Sequence, residues 1–243
     1  MLSAWTKTVE IYLGQNMAAI LPVRSDKHAI ITAQETDITL PALLESVQKQ
    51  LPINARVKIH LSGALCSAVG LQIPKNILRH SEIAAIVNAT AIQVCQTGQR
   101  QLVCEIARGG MPMAAALPVD TLDAILYWGK CTGLRITAIR PIWSIASKCK
   151  AAAGPTVRGL ALREPDSTTL LTVLSDGTGM AKTFSLPALS PNLQSARRRW
   201  QVSAGLEDRD ICSLSFDPRK KQNIGLVPKL GFPTGWSQYW ALL

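Results

Sequence analysis

The chain has 243 residues, 47% of them hydrophobic and 17% charged, with a formal net charge of +10. That length can bury a substantial core in one large domain or two small ones, and the composition excludes a disordered chain. The longest apolar run, Met111 to Val119, is interrupted by Pro112 and Pro118, and a spanning helix needs roughly 20 apolar residues, so no membrane span is expected.

Met1 to Thr8 lacks an apolar stretch of signal-peptide length, which implies a cytosolic protein. Cys66, Cys95, Cys104, Cys131, Cys149 and Cys212 form no Cys-x-x-Cys pair. In a cytosolic chain they read as small buried hydrophobes rather than a disulfide framework or a zinc site. The charge is uneven. Residues 124–163 carry seven Lys/Arg and no Asp or Glu, and residues 195–229 carry eight basic against four acidic residues. These segments contribute +7 and +4, which leaves −1 for the remainder of the net +10. An acidic partner, an anionic membrane surface, nucleic acid or plain solubility would each account for this.

In chain order, Val9 to Leu13 alternates and ends at Gly14, a strand and a turn, with Met17 to Val23 as its hairpin partner and His28 to Thr32 as a third strand. Leu40, Leu43, Leu44, Val47 and Leu51 lie on one face of a helix that Thr39 can cap and Pro52 closes. Arg56 to Leu61 alternates strictly, so it is a strand, with His60 expected to face solvent. Residues 70–90 read as a connection with one helix near Ser81 to Ala89. Strands are then expected at Ala91–Cys95, Gln101–Ala107 and Met113–Leu117. A helix from Asp120 to Cys131 is stopped by Gly133. Leu134–Ile139 is the next strand and Ile142–Ala152 the next helix. Beyond Gly154-Pro155 the order recurs: strands Thr156–Leu162, Thr169–Leu174 and Ala181–Leu186, and a helix opened by Ser190-Pro191. Its stripe is Leu193, Ala196, Trp200 and Ala204. The strand Ile211–Phe216 closes the unit. Element order β-β-β-α-β thus occurs three times, without close sequence repetition.

Such units are ribonuclease-H-like, and two facing each other make an actin-like fold. The stretch Met113 to Leu122, continuing through Gly133-Leu134-Arg135 to Trp143, resembles the crossover between the halves of PilM-type actin-like proteins of type IV pili. It is also similar to the cytoplasmic domain of the type II secretion L subunit (GspL). The likeness covers most of residues 8–216 as a pattern of elements. Nucleotide-binding members of that fold hold phosphate on Asp-x-Gly turns in the first hairpin of each half, where glycine lets backbone amides approach. Here those hairpins read Glu10–Asn16 and Arg163–Thr169, and Pro165 removes an amide donor. The late Gly-Gly loop for adenosine is missing, since Gly109-Gly110 falls in the middle unit. The resemblance therefore implies a degenerate actin-like α/β fold with no bound cofactor and no catalysis.

The remaining motifs are weaker. Asp176-Gly177-Thr178-Gly179 lacks the helix and lysine of a phosphate loop and reads as a hairpin turn. His28, His60 and His80 have no metal-ligand spacing. Ser62-Gly63 follows a strand, but nothing nearby suggests an acid–histidine pair to activate the serine. Arg197, Arg198 and Arg199 precede the core residue Trp200 and suit an acidic peptide or phospholipid, or a solvated helix face. Arg219, Lys220 and Lys221 make a basic loop, but too few aromatic side chains accompany it for nucleic-acid stacking. Trp236 and Trp240 flank Tyr239 in the tail, placed to pack back on the domain or to anchor a partner.

The expected division is a first lobe over 1–153 (unit 1–69, connection 70–90, middle unit 91–153), a second-lobe unit over 154–216 and a basic, aromatic tail over 217–243. The expected role is a non-catalytic cytoplasmic scaffold of a type IV pilus or type II secretion-like platform at the inner membrane. It would bind a short segment of a bitopic membrane protein and also meet a secretion or pilus ATPase. The chain ends where membrane-anchored relatives continue into a span, so membrane contact is expected to be indirect. A nucleotide-dependent actin-like ATPase and a basic nucleic-acid-binding accessory protein are the alternatives.

Overall fold

The computed structural model describes residues 8–21, 29–32, 39–72, 81–82, 85–87, 89–90, 101–105, 112–147, 157–185 and 192–218. Strands β1 (Thr8–Leu13), β2 (Met17–Leu21), β3 (Ala29–Thr32), β4 (Arg56–Leu61) and β8 (Arg135–Pro141) form a five-stranded sheet in the order β3-β2-β1-β4-β8. The hairpin strands β1, β2 and β3 are antiparallel, whereas β4 runs parallel to β1 and β8 parallel to β4. Alternation sets the two faces of this sheet. Ile11, Leu13, Ile59, Leu61 and Ile139 share one face, and Glu10, Tyr12, Lys58, His60 and Arg140 share the other.

Helix α1 (Leu40–Gln48) buries Leu43, Leu44 and Val47, and packs beside α2 (Val119–Thr132). Helix α2 buries Leu122, Ile125, Trp128 and Gly129. It stops at Gly133, whose φ of 67° lies in the left-handed region that glycine adopts without strain.

The second sheet has the order β11-β10-β9-β12, from β9 (Gly159–Arg163), β10 (Ser167–Val173), β11 (Gly179–Ser185) and β12 (Ile211–Ser215). Its helix α4 (Asn192–Ala204) buries Trp200 and Ala204 in a small core with Ala161, Leu170, Leu206 and Ile211. The two lobes therefore share the β-β-β-α-β order and a β1/β4-type parallel closure, β12 beside β9. They also share one core: Leu160, Leu162, Leu171 and Phe216 cluster with Ile11, Tyr12, Ile59 and Trp143, the last at the start of α3 (Ile142–Ala146).

Residues 91–153 do not form a middle unit of their own. Of that stretch, β6 (Gln101–Glu105) and β7 (Met113–Pro118) pair in a three-stranded sheet with β5 (Ser67–Gly70), while α2 and β8 return to the first sheet. Element order was legible, but the edge a strand joins is set by tertiary contact. β4 has a free parallel edge, which β8 takes with one irregularity at Val57/Lys58. Strand β5 lies in what reads from the sequence as the end of unit 1–69 and the start of a connection. The expected strand Ala91–Cys95 lies outside the described residues. The inserted sheet packs along β11. The Gly179 amide donates to the Leu71 carbonyl at 2.8 Å, and a Cβ at Gly70 would collide with the Gly179 backbone.

Candidate functional site

Two hairpin turns meet between the lobes, and they have the same build. Gly14 N–H donates to the Met17 carbonyl at 2.8 Å, closing a two-residue turn of Gln15 and Asn16. Glu164 N–H donates to the Ser167 carbonyl at 2.8 Å, closing a two-residue turn of Pro165 and Asp166. Between them, from the first lobe, comes the loop after β4, which begins at Ser62 and Gly63.

The carboxylates of the second turn take the donors of the first lobe. Asp166 Oδ2 accepts from the Gln15 amide at 2.6 Å and from the Ser62 hydroxyl at 2.9 Å. Glu164 Oε2 accepts from the Gly63 amide at 3.0 Å and from the Ser167 hydroxyl at 3.1 Å. The Tyr12 hydroxyl stands 3.4 Å from both Glu164 Oε1 and Asp166 Oδ1. Glycine is required on the first-lobe side: a Cβ at Gly14 would lie 2.7 Å from Asp166 Oδ2, and one at Gly63 would lie 2.5 Å from Thr169 Oγ1. The side chains of the cluster are buried, Glu164 with 2% of its surface exposed and Asp166 with 8%, while Gln15, which contributes its backbone amide, is exposed.

Burial, then the neighbouring Asp166 charge, raise the Glu164 pKa well above its ordinary 4.5, against the opposing bonds from Gly63, Ser167 and Tyr12. Burial, with the Glu164 and Asp166 charges, also pushes the Tyr12 phenol up. The Tyr12 ring is fixed by Phe216, with ring centroids 5.1 Å apart.

A second polar group lies on the same sheet face. Glu10 meets Lys58 Nζ at 3.6 Å and His60 Nε2 at 3.0 Å, with Arg140 in register with His60 on the next strand. Burial opposes ionisation of Glu10, but His60 and Lys58 outweigh it and hold the carboxyl below its ordinary 4.5. Burial lowers the Arg140 pKa, and the Glu10 charge opposes that. His60, expected to face solvent, is 1% exposed. Strand alternation separates two faces but does not say which of them a second layer covers.

Ser62 gains an acid, Asp166, by direct contact, with no histidine between them to serve as a base. Asp176 to Gly179 is a hairpin turn, with the Thr178 amide bonded to Asp176 Oδ1 at 2.8 Å and Gly177 at a φ of 88°. Among the described residues no group of three His, Cys, Asp or Glu is placed to hold a metal ion. No described helix is long and apolar enough to cross a membrane. Arg197 lies 3.8 Å from the exposed Asp208, while Arg198 and Arg199 are exposed on α4. These arginines are remote in sequence from the interlobe cluster, and no contact joins them to it among the described residues. Arg219, Lys220, Lys221, Trp236 and Trp240 lie outside the described residues, as do Gly109 and Gly110. Glu164 and Asp166 are the residues that sequence reading passed over. The available signal was two acids around a proline, in a turn flanked by the apolar strands Leu160–Leu162 and Leu170–Leu171.

No protein-family model and no curated protein matches this sequence. Solved structures do match in fold. A Bacteroides thetaiotaomicron protein of unknown function with an actin-like ATPase fold superposes with a TM-score of 0.57 at 10% identity, over 93% of this chain and 88% of that one. The PilM–PilN type IV pilus biogenesis complex matches with a TM-score of 0.56 at 11% identity, over 92% and 84% of the two chains. The cytoplasmic domain of EpsL, an inner-membrane component of the Vibrio cholerae type II secretion system, matches more loosely, with a TM-score of 0.49 at 14% identity over 86% and 82%. The chain has an actin-like fold.

Proposed function

We propose that this chain is a non-catalytic, cytoplasmic actin-like scaffold of a type IV pilus or type II secretion-like assembly platform, which binds a short segment of a bitopic inner-membrane protein. The observation that carries this reading is the occupied interlobe turn. The amides of Gln15 and Gly63, with the Ser62 hydroxyl, are the donors a phosphate would need there, and carboxylates of the same chain already accept from them. Two carboxyl groups stand where a phosphate would have to enter, which disfavours nucleotide phosphate by space and by the negative charge the pair carries. The superposition on the PilM–PilN complex supports the choice of machine. The exposed Arg198 and Arg199 supply cationic surface suited to an acidic segment.

Two measurements test the proposal. Full-length protein is expected to co-purify with a bitopic platform protein when the two are produced together, and to lose that partner when its cytoplasmic segment is deleted. In a thermal-shift assay, ATP with magnesium is expected to leave the unfolding temperature unchanged, because a ligand that binds the native state must raise it. A rise of several degrees together with no platform partner would overturn the scaffold reading in favour of the ATPase.

A further inference from the structure

The Tyr12 hydroxyl carries one proton, yet it stands 3.4 Å from two carboxylate oxygens, Glu164 Oε1 and Asp166 Oδ1. If both acids were ionised, one of those oxygens would face a phenol lone pair inside a buried cluster, which costs free energy, and no other donor to either oxygen occurs among the described residues. The other two carboxylate oxygens are already saturated with donors: Gln15 N–H and Ser62 Oγ–H on Asp166, Gly63 N–H and Ser167 Oγ–H on Glu164. The arrangement balances with one added proton, on Glu164 Oε1. Glu164 then donates to Tyr12 Oη, and Tyr12 donates to Asp166 Oδ1.

The chain of bonds crosses between the lobes. Tyr12 belongs to β1, Gln15 to the β1–β2 turn, and Ser62 and Gly63 to the loop after β4, all in the first lobe. Glu164 and Asp166 belong to the β9–β10 turn of the second. We propose that Glu164, Tyr12 and Asp166 form a proton-holding clamp between the lobes, closed while Glu164 keeps its proton and loosened when that proton leaves to solvent. On ionisation, two anions share one phenolic proton, and repulsion between them acts across the turn that Gln15 and Gly63 grip.

Other charged groups face this cluster from the elements around it. His60 stands in register with Tyr12, and through it lie Glu10, Lys58 and Arg140; Arg163 precedes Glu164 and is exposed; Asp217 follows Phe216, whose ring packs on Tyr12. The cations of the first set gather around Glu10, on the neighbouring part of the sheet face.

The sign follows from the direction of the shift. A carboxyl that holds its proton more tightly when folded contributes stability that is complete below its ordinary 4.5 and is lost as pH rises toward its folded value. The unfolding temperature of the wild type is therefore expected to fall as pH rises above the ordinary carboxyl range. Glu164→Gln, which keeps an acceptor for Gly63 and cannot ionise, is expected to flatten that fall. Superimposable profiles for the two proteins would overturn the clamp. A second measurement needs the wild type alone. Amide exchange at Gln15 and Gly63, divided by the intrinsic base-catalysed rate at each pH, is expected to lose protection as pH rises. Constant protection at both amides would equally overturn it. Neither readout depends on the platform partner or on ATP, so failure here leaves the scaffold reading standing.

Discussion

The hairpin turns Gly14–Met17 and Glu164–Ser167 occupy equivalent places in two lobes of the same element order, and both are closed by one 2.8 Å backbone bond around two residues. Their chemistry is opposite. The first presents backbone donors, with an amide at Gln15 and a glycine at Gly14 that no Cβ could replace without meeting Asp166. The second has Pro165 where the first has Gln15, so it lacks that amide, and it presents two carboxylates instead. One turn supplies donors, and the other supplies the carboxyl groups that accept from them.

Substitutions across this pair should fall in a definite order. Asp166→Ala is expected to cost most, about 2–4 kcal/mol in urea unfolding at neutral pH, because it leaves the Gln15 amide and the Ser62 hydroxyl without their buried acceptor. Gly63→Ala comes next, at about 1–3 kcal/mol, since its methyl group would press on Thr169 Oγ1 and Ser167 Oγ, both on buried residues of β10. Gln15→Ala is expected to change stability by less than about 0.5 kcal/mol, because Gln15 contributes its backbone and not its side chain to the bond. A large loss from Gln15→Ala combined with none from Asp166→Ala would break the donor–acceptor asymmetry. Two buried acids, one in each lobe, sharpen it further. Glu10, matched by His60 and Lys58, contributes stability that is present above its ordinary 4.5 and lost as pH falls through its lowered folded value. Glu164 acts in the opposite sense, contributing stability that is complete below its ordinary 4.5 and lost as pH rises toward its raised folded value.

Much of this was legible in the sequence where periodicity alone decides the answer. The alternation of Arg56–Leu61 gave that strand to the residue, and the spacing of Leu40, Leu43, Leu44 and Val47 gave the helix. The two hairpin turns within Glu10–Asn16 and Arg163–Thr169 were also legible. What stayed hidden depends on contacts far apart in the chain. Strand β5 is four residues ending in glycine, too short for a pattern, and β8 joins an edge that only the folded first sheet provides. The Arg163–Thr169 turn was read for Pro165 alone, whereas the pair of acids around it makes the contacts to the first lobe. Their burial comes from Tyr12, about 150 residues earlier, which no local pattern reports.

The most direct test of the occupied, proton-holding cleft is a carbon-13 NMR titration of the Glu164 side-chain carboxyl in the intact protein. The carboxyl is expected to hold its proton well above its ordinary 4.5 and to titrate only at higher pH. A Glu164 resonance that titrates near its ordinary 4.5, with the lobes still joined, would contradict the account.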